Sequence, residues 1–122
     1  MAEAQPEDIK ARTFRFALQI IALVEKLPNT ISATTIGKQL IRSGTSIGAN
    51  VEEATAAHSK SDFVYRMNIS LREARETLFW LRLLEASNIL PSAQLAGTLK
   101  ESDEITRILG AIVSSARGKR KK

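Results

Sequence analysis

Three glycines fall inside a stretch whose apolar residues otherwise keep the period of an α-helix. Ile36, Leu40, Ile47, Val51 and Ala54 recur at spacings of three, four or seven, which traces one helical face. Gly37, Ser43, Gly44, Ser46, Gly48 and Ala49 are spread along the same segment. Glycine in a helix interior costs about 1 kcal/mol relative to alanine. Such a cost persists where a second helix must come close, and Gly44-x-x-x-Gly48 removes two side chains from one face. A phosphate-binding loop is the rival explanation. It fails on pattern, because Gly37-Lys38 runs into Gln39 and no G-x-x-x-x-G-K-[ST] sequence exists.

The helix that follows is apolar on more than one side. Ser59 and Asp62 have the spacing of a capping box, with the Ser59 hydroxyl placed to accept from the Asp62 backbone. Phe63, Met67, Leu71, Ala74, Leu78 and Leu81 then form one stripe. Tyr65, Ile69, Glu73, Glu76, Trp80 and Leu83 lie roughly opposite, since two residues advance about 200° around a helix. A helix apolar nearly all round is buried on more than one side. In a chain of 122 residues, a neighbouring copy is the simplest source of the second burial.

Two further helices flank this pair. Pro6 is a favoured first helical residue, with Glu7 and Asp8 complementing the dipole. Phe14, Ala17, Leu18, Ile21, Val24 and Leu27 are read as the first stripe, widened by Phe16 and Ile20, and Pro28-Asn29 stops it. Ser32 is read as the cap of the second helix, with Ile31 and Ile36 as a hydrophobic staple. Pro91 and Ser92 open the last helix, whose stripe is Leu95, Leu99, Ile105, Ile108, Leu109, Ile112 and Val113. The expectation is all-α: an antiparallel up-down-up-down four-helix bundle over residues 1–116, with helices near 6–27, 33–57, 60–87 and 93–116. A basic tail, expected to be disordered, follows over residues 117–122.

The run QLIRSGTSIGANVEEA, then SKSDF, then ISLREARETLFWLRLL, resembles the four-helix-bundle family of 23S rRNA intervening-sequence proteins. The family's first pattern falls on Gln39, Leu40, Arg42, Ser43, Ser46, Ile47, Ala49, Asn50, Val51 and Glu53. Its second falls on Glu73, Glu76, Thr77, Trp80 and Leu81, and Phe16, Ala17, Leu27 and Pro28 fit its first helix. Glu52-Glu53-Ala54 departs from it, since many members carry a glycine soon after the glutamate. The resemblance implies an up-down-up-down bundle assembled as a ring, often a pentamer. It extends to accessory proteins of diversity-generating retroelements, which bind nucleic acid and a reverse transcriptase.

Charge is divided sharply along the chain. All 13 acidic residues precede Arg117, and the net charge of +5 resides in Arg117, Lys119, Arg120, Lys121 and Lys122. The pI of 9.9 therefore describes the tail rather than the bundle. Such a tail attracts phosphates, or merely solubilises the chain. A membrane role is not expected. No segment reaches the roughly 20 uninterrupted apolar residues of a span, and MAEAQPEDIK lacks a signal peptide's basic start. A cytoplasmic protein is expected.

Catalytic patterns are missing from the sequence. Cysteine is absent, and His58 stands alone in the turn between the middle helices. Glu73 and Glu76 lie one turn apart, but a di-metal bundle uses Glu-x-x-His motifs, and none occurs. The expectation is a protein that is not an enzyme and needs no cofactor or metal. Glu73 and Glu76 are read as polar partners at a helix interface, which Arg72, Arg75 or Arg82 of the same or another subunit could satisfy. Arg42 and Glu53 are assigned to tertiary or intersubunit pairing, because basic residues early and acidic residues late oppose the helix dipole, and Asn50 falls close to the apolar face, where its amide must find partners. The predicted self-association surface comprises Tyr65, Ile69, Trp80, Leu83 and the small face around Gly44 and Gly48. The functional expectation is an oligomeric adaptor that engages RNA or DNA through the tail, together with a protein partner. The alternative is a purely structural or protein-recruiting bundle whose tail is incidental.

Overall fold

The computed structural model describes residues 6–118. Four helices make up nearly all of it: α1 (Pro6–Val24), α2 (Ile31–Thr55), α3 (Lys60–Ala86) and α4 (Ser92–Ala116). Connections over 25–30, 56–59 and 87–91 are too short to cross the molecule, so successive helices run antiparallel. Each helix packs on the next and α4 returns to α1, closing an up-down-up-down four-helix bundle.

Local chemistry sets the helix ends. Thr30, in extended backbone, caps α2 by accepting from the Ala33 N–H at 3.2 Å. Ser32, expected in that role, lies within the first turn instead. Ile31 is 88% exposed, so the proposed staple with Ile36 does not form. Ser59 caps α3 as expected, accepting from the Asp62 N–H at 3.0 Å. The C-terminus of α3 closes in a Schellman motif: Asn88 N–H donates to the Glu85 carbonyl and Ile89 N–H to the Leu84 carbonyl. Asn88 takes the left-handed conformation this requires, with φ of 59°. Helix α1 ends at Val24, three residues before the expected stop, because backbone preceding Pro28 disfavours helix.

The core joins all four helices through Phe16, Ile20, Leu40, Ile47, Met67, Leu81, Leu95, Ile105 and Leu109, each fully buried. One expected stripe is corrected. Helix α1 turns Ile9, Thr13, Phe16, Ile20 and Leu23 inward, while Phe14, Leu18 and Ile21 are exposed. The two stripes share the same spacing and lie two residues apart, hence nearly opposite. Packing on α2 selects between them. A Cβ on Gly44 would stand 2.9 Å from Ile20 Cγ1, and one on Gly48 would stand 3.3 Å from the Thr13 carbonyl oxygen. The glycines thus admit the Thr13–Ile20 side of α1.

Small polar residues join α2 to α3. Ser70 Oγ donates to the Ile47 carbonyl at 2.8 Å, and the buried hydroxyls of Ser43 and Thr77 are hydrogen-bonded at 2.8 Å. Helices α1 and α4 meet less closely, across a charged clamp. Arg12 donates from Nε and Nη2 to both Glu101 oxygens at 2.7 and 2.8 Å, and from Nη2 to Glu104 at 2.6 Å. These carboxylates hold the guanidinium pKa above its ordinary value, against the opposing effect of burial.

Candidate assembly and nucleic-acid surface

One polar cluster is built across α2 and α3. Arg42 Nη1 reaches Glu73 Oε1 at 3.1 Å, and Nη2 is hydrogen-bonded to Glu76 Oε2. Glu76 Oε2 also accepts from Trp80 Nε1 at 3.0 Å. The indole bond, then the Arg42 bond, lower the Glu76 pKa from its ordinary 4.5. The Glu76 bond raises that of Arg42 in turn. The glutamates are polar partners at a helix interface, and within the chain their cation is Arg42 rather than Arg72, Arg75 or Arg82. Spacing of three and four along α3 turns Glu73, Glu76 and Trp80 toward α2, where Arg42 stands. Asn50 is satisfied on its own helix, donating from Nδ2 to the Ser46 carbonyl at 2.9 Å, and Glu53 is exposed.

Beside this cluster, α3 presents a seam to solvent. Tyr65, Ile69, Arg72, Glu76, Phe79 and Leu83 recur at alternating spacings of four and three, the pattern of a helix–helix seam. Tyr65 is 60% exposed and Phe79 52%. Ile69 and Trp80 are half-buried, and Leu83 is exposed. Arg66 lies over the Tyr65 ring with its guanidinium carbon 5.7 Å from the centroid, and Phe79 meets Trp80 edge-on at 5.1 Å. Of the residues expected on this surface, Tyr65, Ile69, Trp80 and Leu83 are therefore gathered on or beside one face. Gly44 and Gly48 are not among them. Both are buried within the chain against α1, whose backbone and side chains fill the space their missing Cβ atoms leave.

Sequence patterning passed over two contributors. Phe79 completes the α3 seam, and its signal was the same spacing that placed Leu83. The second is the outward face of α1 (Phe14, Leu18 and Ile21), which the period of the sequence places on the inward stripe.

The expected nucleic-acid residues fall at the end of the chain. Arg117 caps the C-terminus of α4 and is exposed, whereas Lys119, Arg120, Lys121 and Lys122 lie outside the described residues. His58 is exposed in the α2–α3 turn. Among the described residues no group of three or more His, Cys, Asp or Glu side chains is placed to hold a metal ion, and no helix is long and apolar enough to cross a membrane.

Comparison with known proteins gives two positive results. A search of curated proteins returned no match. Among solved structures, the chain is similar to a protein with unknown function from the S23 ribosomal protein family of Bacteroides thetaiotaomicron VPI-5482, whose crystal structure is at 1.70 Å resolution. The TM-score is 0.82 at 38% identity, covering 89% of this chain and 97% of that one. Residues 7–111 match the family described as 23S rRNA-intervening sequence protein. With that match running from the start of α1 well into α4, the chain belongs to the 23S rRNA-intervening sequence protein family.

Proposed function

We propose that the protein is a nonenzymatic adaptor that assembles with copies of itself and engages RNA or DNA, in company with a protein partner. The observation that carries this reading is the separation of charge. Residues 117–122 hold five cations and no acid, while the preceding residues sum to neutrality with 13 of each sign. Within the bundle, Arg12 and Arg42 are each committed to two glutamates. The family's description names an intervening sequence of 23S rRNA, which is an RNA context. Assembly would place several tails together and raise their effective concentration on one polyanion.

A salt titration of nucleic-acid binding, run on the full chain and on a chain lacking Arg117–Lys122, tests the proposal. Five cations predict a log–log salt slope of about −3.5 on single strands. Deletion is expected to remove most binding and leave helicity and assembly unchanged. Equal binding by both proteins would make the tail incidental. The search would then move to Arg66 and Arg72 on α3, since Arg42 is engaged within the chain. Absence of binding by either protein would leave the protein-recruiting bundle as the surviving account.

A further inference from the structure

The chain ties three of the bundle's four edges and leaves the fourth free. Loops over 25–30, 56–59 and 87–91 join α1 to α2, α2 to α3 and α3 to α4. No loop joins α1 to α4, and these helices meet less closely than any other neighbouring pair. The chemistry of that edge differs as well. Gly44 and Gly48 bring α1 hard against α2, and the α2–α3 contact buries the hydroxyls of Ser43, Ser70 and Thr77. Across α1–α4 the side-chain hydrogen bonds run from Arg12 to Glu101 and Glu104, and from Gln19 Nε2 to Thr98 Oγ1 at 3.2 Å. Arg12 and both glutamates stay partly in water, so solvent can take over their bonds once the helices part.

Ser102 lies on the inward side of α4, one turn from Thr98 and next to Glu101. Its hydroxyl is buried without a hydrogen-bond partner among the described residues, whereas the buried hydroxyls of Thr13, Ser43, Ser70, Thr77 and Thr98 are all bonded. Closure holds that group away from water uncompensated, and opening relieves it. We propose that the bundle opens along its α1–α4 edge, with the α2–α3 pair as hinge and Arg12 with its two glutamates as latch. Opening bares apolar side chains of the shared core, Phe16 and Ile105 among them, so the closed form dominates. The α1–α2 and α3–α4 pairs keep their own packing, so the protein reaches the open form without unfolding. This device is separate from the basic tail and from self-assembly, and its strength is set by the clamp.

The chain has no cysteine, so a single introduced thiol reports opening. Thr98→Cys and Ser102→Cys are independent reporters on the inward side of α4, and Ser70→Cys reports on the α2–α3 contact. All three positions are buried in the closed form. Reaction with Ellman's reagent is followed across urea concentrations, where closing outruns labelling, with circular dichroism as the check on folding. Both α4 thiols should react at least about tenfold faster than that of the Ser70→Cys protein. Their urea dependence should be shallower, because opening exposes less surface than unfolding. Adding Thr77→Val should speed the Ser70→Cys reaction alone, since the open form keeps the α2–α3 contact. Adding Arg12→Met should speed all three, since the latch is lost in the open and unfolded forms alike. Equal rates and urea slopes in all three would leave global unfolding as the only opening and overturn the proposal. So would α4 thiols that Thr77→Val also speeds.

Discussion

A Cβ added to Gly44 meets the Ile20 side chain at 2.9 Å, and one added to Gly48 meets the Thr13 backbone at 3.3 Å. Helix propensity alone says that replacing either glycine should stabilise α2 by up to about 1 kcal/mol. The neighbours reverse the sign. Ile20 is fully buried and branched at Cβ, and the atom facing Gly48 belongs to main chain, so neither yields cheaply. Gly48→Leu is expected to destabilise by about 1–3 kcal/mol through overpacking, whereas Lys100→Leu on exposed α4 surface should change little. Thermal melts of the two variants decide it, and a Gly48→Leu protein as stable as the parent would mean that α1 does not press on α2 there. Glu76 supplies a second test at this scale. Its pKa is lowered in the fold by the Trp80 indole and by Arg42. The associated stability is present above the ordinary value of 4.5 and is lost as pH falls through that value and below. Glu76→Gln should therefore flatten the acid limb of a stability–pH profile. An unchanged limb would show that other carboxylates govern it.

Between elements, the α2–α3 contact is where buried hydroxyls hydrogen-bond across the packed interface. Removing the Ser70 hydroxyl costs one hydrogen bond, about 1 kcal/mol, because the Ile47 carbonyl it bonds sits within α2 and has a helical partner. Thr77→Val is expected to cost more, since it leaves the buried Ser43 hydroxyl without its partner across the interface. Adding Ser43→Ala to Thr77→Val should recover part of the loss. Urea titrations of Ser43→Ala, Thr77→Val and the double variant measure this, and a double variant no more stable than Thr77→Val would contradict it. These elements also show what could be read from the chain. The four helices followed from period, proline placement and the Ser59 cap, all local signals. The inward face of α1 did not, because Phe14, Leu18 and Ile21 repeat with the same spacing as Phe16, Ile20 and Leu23. Period fixes that a face is apolar, and only the partner helix fixes which face is inside. The same holds for Arg42. Its chemistry announced a paired cation, but Glu73 and Glu76 are 31 and 34 residues away in the chain. Only the α2–α3 packing brings them together.

For the whole molecule, the two apolar faces of α1 become a single observation when set beside the α3 seam. A lone bundle would keep Phe14, Leu18, Tyr65 and Phe79 more than half exposed, and contiguous apolar surface of this kind marks an interaction site. The proposed function joins tail, bundle and seams in one account, in which the bundle would assemble through its exposed apolar surface and gather its tails. Sedimentation equilibrium at micromolar concentration, on the unmodified chain and on Leu18→Glu, tests that account most directly. It predicts a species several times heavier than 13.4 kDa for the unmodified chain, shifted toward 13.4 kDa in the variant with helicity intact. A single 13.4 kDa species for the unmodified chain, or an assembly indifferent to Leu18→Glu, would contradict it.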